Sequence, residues 1–266
     1  MTLQEFLTAS KSLLVITGAG CSTASGIGDY RDERGEWKRP APIQHQDFMG
    51  NRRWRQRYWA RSQAGYPEFM KAQPNVAHQV LASWERSGRL SGLITQNVDR
   101  LHQRAGHDDV IDLHGRLDQV VCMECGLLTD RAVIQAWLNR NNQPLPELSF
   151  SPAPDGDADL AADDFSHITV PECEHCGGVL KPNVVFFGDS VPKPVVAAAF
   201  ARVDQADGVL VVGSSLMVYS SFRFVRRAAE LGLPIAAINV GRTRADDLLC
   251  VKEAGDCSAV LQQLAE

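Results

Sequence analysis

Nowhere does the 266-residue sequence reach the roughly 18 consecutive apolar residues that a membrane-spanning helix needs, so no membrane partner is expected. An excess of basic charge is missing too. Its 27 Lys and Arg face 32 Asp and Glu, a net charge of −5, which argues against the basic footprint of a nucleic-acid binder. The opening MTLQEFLTAS carries no basic leader or apolar signal region before the buried-looking LLVITGAG. Cysteine is scarce: there are seven, and four stand in paired Cys-x-x-Cys spacing. That pattern fits a reducing compartment better than a disulfide framework, and a cytoplasmic location is expected. No internal repeat occurs.

What is present is a repeated design. SLLVITGAG (12–20), LSGLITQN (90–97), DVIDLHG (109–115), DGVLVVGSS (207–215) and LPIAAINVG (233–241) are short apolar runs, each ending in Gly, Ser or Asn. Helix-patterned stretches alternate with them: Asn75 to Arg86, Pro194 to Gln205, Ser221 to Leu231 and Cys257 to Ala265. Strand and helix alternating at these lengths predict an α/β fold built on a parallel sheet. In such a sheet ligands sit beyond the carboxyl ends of the strands, so GAG, TQN, HG, GSS and NVG should share one crevice.

The span 116–182 breaks this rhythm. It holds Cys122-Met-Glu-Cys125, Cys173-Glu-His-Cys176 and a helix-like TDRAVIQAWLNR (129–140). Four thiolates on two tight turns suit one structural zinc ion with every position filled by protein, with His175 an alternative ligand. The expected organisation is a Rossmann-like domain (1–35, 73–115 and 183–266), a small helical module (36–72) and a zinc-binding module (116–182). Arg52, Arg53, Arg55, Arg57 and Arg61 crowd one segment, while Asp155, Asp157, Asp159, Asp163 and Asp164 crowd another; a solvated face and a loop are the plain readings.

The turn after the first strand supplies Gly18 and Gly20, but Thr23 occupies the third glycine position of the dinucleotide fingerprint. No acidic residue closes a second strand about 20 residues later, which argues against an ordinary NAD-linked oxidoreductase. Phosphate affinity at a helix start survives that mismatch. A zinc-ribbon binding module would explain the cysteines and leave TQNVDRLH (95–102) unused.

GAGCSTASGIGDYR (18–31), TQNVDRLH (95–102), HG (114–115), the two cysteine pairs, KPNVVFFGD (181–189), GSSLMVYS (213–220) and NVG (239–241) together resemble the sirtuin family of NAD-dependent protein deacylases. PIQHQDF (42–48), RQRYWAR (55–61), APDGD (153–157) and VVFFGDSV (184–191) are most similar to its class II branch, which includes a mitochondrial sirtuin of animals. The missing leader suggests a bacterial-type relative. Cys21 and Gly28 stand where family members usually carry Ile and Pro, so a looser cofactor loop is expected.

The resemblance implies NAD in the crevice and zinc on Cys122, Cys125, Cys173 and Cys176. The pyrophosphate would lie on Gly18, Ala19, Gly20 and the Gly213–Ser214–Ser215 turn, and the adenosine end near Asn239, Val240, Gly241 and Cys257. Asp29 and Asp99 would surround the nicotinamide, with Ser22, Thr23, Tyr30, Arg31, Gln96, Asn97 and Val98 completing the contacts. His114 would be the general base that takes a proton from a ribose hydroxyl, and Asn97 would position a hydroxyl or water. Acylated lysine on a protein or peptide would enter as an extended strand between residues 188–191 and 214–219. Val185, Phe186, Phe187 and Gly188 would border its acyl chain, although Val185 to Phe187 also read as a core strand. Tyr58 and Arg61 resemble the Tyr-x-x-Arg pair that reads an acyl carboxylate, which implies longer or acidic acyl groups; an exposed basic face is the other reading of Arg61. Protein mono-ADP-ribosylation uses the same cofactor residues and is the alternative activity.

Overall fold

The computed structural model describes residues 1–38, 42–142, 155–156 and 164–265. Asp157, Asp159, Asp163 and much of APDGD lie outside them. The first half runs α1 (Leu3–Ala9), β1 (Leu13–Thr17), α2 (His45–Gly50), α3 (Arg52–Phe69), α4 (Val76–Arg86), β2 (Leu90–Thr95), α5 (Leu101–Arg104), β3 (Val110–Asp112) and β4 (Gly115–Cys122). Then follow β5 (Leu128–Asp130), α6 (Arg131–Asn141), β6 (Leu180–Val184), α7 (Lys193–Gln205), β7 (Gly208–Val212), α8 (Tyr219–Glu230), β8 (Ile235–Ile238), β9 (Val251–Glu253) and α9 (Cys257–Ala265).

Six strands form one sheet in the order β3-β2-β1-β7-β8-β9, and every pairing is parallel. Each residue of β1, β7 and β8 is buried, because helices cover both faces. The alternation of side chains sorts the strands into two cores. Leu13, Val15, Leu210, Val212, Ala236 and Ile238 pack towards α1, α4 and α9. Leu14, Ile16, Val209, Val211, Ile235 and Ala237 pack towards α7 and α8. Strand order reverses between β1 and β7, so the crevice opens where their carboxyl ends splay apart.

A second, antiparallel sheet has the order β5-β4-β6. The run expected as one strand over 109–115 is divided. β3 stops at Asp112, Leu113 and His114 make the crossing, and β4 starts at Gly115. Gly115 has φ +80°, and a Cβ there would sit 2.1 Å from the Asn183 carbonyl oxygen, so the chain changes sheets at a residue that must be glycine. Helices α2, α3 and α6 share one apolar core with this small sheet, built on Phe48, Trp59, Phe69, Leu117, Leu138 and Leu180. Among the described residues no helix is long and apolar enough to cross a membrane.

Candidate active site

The turns after β1 and β7 meet backbone to backbone. Gly213 has φ +62°, and a Cβ on it would lie 2.3 Å from the Cys21 nitrogen. Gly20 N–H donates to the Gly213 oxygen at 2.9 Å, and Gly18 N–H to Val212 at 3.1 Å. Gln96, at the end of β2, ties in with Nε2 donating to Ser214 Oγ at 2.7 Å. Three strand ends thus form one floor.

Above it lies a cavity of about 1030 Å³, at the upper end of ordinary ligand sites and large enough for a dinucleotide and a second substrate. Its wall includes Gly18, Ala19, Gly20 and Thr23 of the first turn, with Asp29, Tyr30 and Arg31 beyond. Gln96, Asn97, Val98 and His114 line it as well. So do Gly213, Ser214, Ser215, Asn239, Val240, Gly241 and Cys257, and Val185, Phe186, Phe187 and Gly188.

Four of the residues expected at the site do not line this cavity. Ser22 and Asp99 stand one layer behind: Asn97 Nδ2 donates to Ser22 Oγ at 3.0 Å, and Ser22 Oγ donates to Asp99 Oδ2 at 2.7 Å. Burial raises the pKa of Asp99, which also accepts the Leu101 N–H at 2.9 Å. Asp29, by contrast, is on the wall and paired with Lys38 Nζ at 2.6 Å. Tyr58 and Arg61 lie outside the lining as well. The Tyr58 ring is buried against Phe48, Trp59 and Phe186, with centroids 5.3–5.4 Å apart, so it supports the cavity wall from behind Phe186.

His114 is placed by its crossing between the two sheets. Its Nδ1 lies 3.1 Å from the Gln96 carbonyl oxygen, which only accepts, so Nδ1 carries the hydrogen. Nε2 is therefore an acceptor, and Ser220 Oγ donates to it at 2.8 Å. Burial, with a smaller push from the nearby Arg223 guanidinium, lowers the imidazole pKa to about 4, while the Gln96 bond opposes the shift. Neutral imidazole with a bare Nε2 is the form a general base requires.

Residues 18–220 match the Sir2 family. The chain belongs to that family. It is 58% identical over 98% of its length, and 95% of the relative's, to a Bradyrhizobium diazoefficiens protein named NAD-dependent protein deacetylase 2. The human NAD-dependent protein lipoamidase sirtuin-4, mitochondrial, is 49% identical over 97% of this chain and 83% of its own. Among solved structures, a Sir2 complex with a p53 peptide and NAD+ superposes with a TM-score of 0.79 at 28% identity, covering 98% of this chain and 94% of that one.

In this Sir2-family chain the four-cysteine group is assembled as a clamp. Cys122 and Cys176 sulfurs are 3.5 Å apart, and those of Cys125 and Cys173 are 3.8 Å apart. Tetrahedral zinc with Zn–S bonds of about 2.3 Å needs sulfurs about 3.8 Å apart, so the donor set fits that ion. Gly126 N–H donates to the Cys122 carbonyl and Gly177 N–H to that of Cys173, closing two matching turns. Among the described residues His175 is no part of the group.

Several lining residues have no signal in the sequence. Ser220 and Arg223 sit in the first two turns of α8, and Trp37 meets Tyr30 and Phe187 edge to face at 6.1 and 5.5 Å. Their places follow from how elements pack, which no local spacing announces.

Proposed function

We propose that this protein is an NAD-dependent protein-lysine deacylase that transfers the acyl group to ADP-ribose and releases nicotinamide. One observation carries the reading: His114, its unprotonated Nε2 accepting from Ser220 Oγ, lines the same cavity as the Gly18–Gly20 turn. The Gly18–Ala19–Gly20 turn and the Ser214–Ser215 turn would hold the pyrophosphate of NAD, with the N–H groups of Gly18, Gly20 and Gly213 spent on joining the strand ends, and Asn239 to Gly241 with Cys257 would flank its adenosine. NAD supplies the electrophilic ribose carbon that accepts the acyl oxygen as nicotinamide leaves.

His114 Nε2 would take the proton from a ribose hydroxyl of bound NAD, which readies that oxygen to receive the acyl group as the lysine amine leaves. Asn97 holds the ribose side through the Gly18 and Ser22 contacts of its amide nitrogen. Tyr30 and Phe187 shield the reacting centre. Ser22 and Asp99 act through Asn97 and not on the ligand. The acyl-lysine strand passes between residues 188–191 and 214–219, all of which line the cavity. Zinc on the four cysteines has a structural role. The same reading divides the chain into the Rossmann-like part (1–35, 73–115 and 183–266), the helical module (36–72) and the zinc module (116–182). Its thiols suit a reducing, cytoplasmic compartment.

The preferred acyl group is longer than acetyl or acidic. Support comes from the human relative named a lipoamidase, from the apolar Val185, Phe186 and Phe187, and from Arg223. Arg223 lines the cavity, and its Nε is buried with no hydrogen-bond partner, so a cation stands ready near the acyl path. Tyr58 and Arg61 contribute from behind the wall.

Pure protein incubated with NAD and acetyl-, succinyl-, glutaryl- and lipoyl-lysine peptides, followed by mass spectrometry, tests the proposal. Nicotinamide release matched by O-acyl-ADP-ribose is expected. ADP-ribose attached to protein, with the acyl-lysine intact, would assign mono-ADP-ribosyl transfer instead.

A further inference from the structure

Three buried side chains meet beneath the cavity floor and take no part in the proposed reaction. Cys21 follows the first glycine turn, His78 opens α4 and His102 lies in α5; their exposures are 1%, 0% and 1%. A sulfur or ring nitrogen from each lies within 4.8 Å of the others.

The hydrogen-bond network fixes what they present to one another. His78 Nδ1 is 3.0 Å from Asn75 Oδ1. The Asn75 amide is oriented by its own bonds, since its nitrogen donates to the Cys21 carbonyl and Ser25 Oγ while its oxygen accepts Ala77 N–H. Asn75 N–H also donates to the His78 Nδ1 at 3.3 Å, as half of the cap of α4, and the Asn75 oxygen accepts from Ser258 Oγ at 3.2 Å. His78 Nε2 is left buried without a hydrogen-bond partner. His102 Nε2 is 2.9 Å from Thr17 Oγ1, whose hydrogen goes to Thr95 Oγ1. Nε2 therefore donates, and His102 Nδ1 is a second buried nitrogen without a partner.

Two buried ring nitrogens without partners and one buried thiol thus belong to one cluster. Unsatisfied buried polar atoms destabilise a fold, and an unplaced ion or water is a common reason for finding them. Outward nitrogens held by oxygen acceptors are the arrangement that aims histidines at a metal. We infer that Cys21, His78 and His102 form a second metal site, separate from the four-cysteine group, for a thiophilic cation of the Zn2+ type.

Neutral imidazole and thiolate are the donors such a cation takes, and tetrahedral zinc would bring them about 3.3–3.8 Å apart, inside the spacing found. Binding breaks the Cys21 S–H bond, forms the sulfur–metal bond and releases one proton to solvent. The metal would pin the cofactor turn, because Cys21 N–H donates to the Gly18 oxygen at 2.9 Å.

The test uses tag-free full-length chain produced in zinc-depleted medium supplemented with Co2+. Metal counting by mass spectrometry should give two ions per chain for the wild type and one for Cys21→Ser. One ion in both proteins, the result if a water fills the site, overturns the inference, and so do two ions in both. Cobalt-edge X-ray absorption on the wild type alone covers the case in which the variant fails to fold. Imidazole scattering beside sulfur supports the site, and a pure sulfur shell overturns it.

Discussion

Ser220 Oγ donates to His114 Nε2 across 2.8 Å, so one hydroxyl occupies the direction from which the proposed base must receive a proton. A ribose hydroxyl has to displace it or pass its proton through it. His114→Ala removes the base and should lower deacylation by about 10²–10⁴-fold, the usual contribution of general-base catalysis. Ser220→Ala should cost less than a tenth of that loss. Nicotinamide release with saturating NAD and peptide reads both, and equal losses in the two variants would make Ser220 the essential group.

The low pKa of His114 fixes the sign of a pH effect. Between about 4, its folded value, and 6.5, its ordinary value, the unfolded chain binds more protons at this residue than the folded one. Stability from this group is complete above the upper value and is lost as pH falls through that window, by up to about 1.4 kcal/mol per unit. Urea denaturation at pH 5 and 7 should show a smaller pH difference for His114→Gln than for the wild type. Arg223→Met removes a charge that lowers the imidazole pKa and should move the acid limb of kcat/KM upward. A limb that stays still in that variant would contradict the electrostatic link.

The main sheet was legible because its strands are buried on both faces and read as continuous apolar runs, as Leu13–Thr17 and Gly208–Val212 do. The glycine turns and the cysteine pairs carry their chemistry in local spacing, so their places in the cavity wall and the clamp could be anticipated. β4 could not. Its GRLDQVVC shows no regular alternation, because the buried Leu117 is separated from the buried Val120 and Cys122 within a stretch where the pairing with β6 shifts register. The same limit applies to Tyr58, whose helical spacing with Arg61 is real, while the depth of α3 in the fold turns its ring into the core behind Phe186. Ser220 reaches His114 across 106 positions of sequence, a contact no periodicity encodes.

Acyl choice separates two arginines. If Arg223 meets an acidic acyl end inside the cavity, Arg223→Met should raise KM for glutaryl- and succinyl-lysine peptides by about tenfold or more, the loss of one charge-assisted bond, and leave lipoyl peptides nearly unchanged. Arg61→Ala should have the smaller effect, since Arg61 is outside the lining. The reverse ranking would return carboxylate reading to the Tyr58 and Arg61 pair.

Removal of the structural metal should act on the fold before it acts on the chemistry. Cys122 ends β4 and is buried in the core shared by α2, α3, α6 and the small sheet, and Cys173 belongs to the same core. The clamp therefore ties the strands that carry it to Phe48 of α2 and Trp59 of α3. Structural zinc supplies about 10–16 kcal/mol in small domains, more than most domains hold in total. Cys122→Ser or a strong chelator should lower the melting temperature and release the small sheet first, while the parallel sheet, with its own two cores, stays protected. Hydrogen exchange followed by mass spectrometry would show early exchange in β4, β5 and β6. Unchanged protection there after complete metal loss would mean that side-chain packing alone holds this part of the fold together.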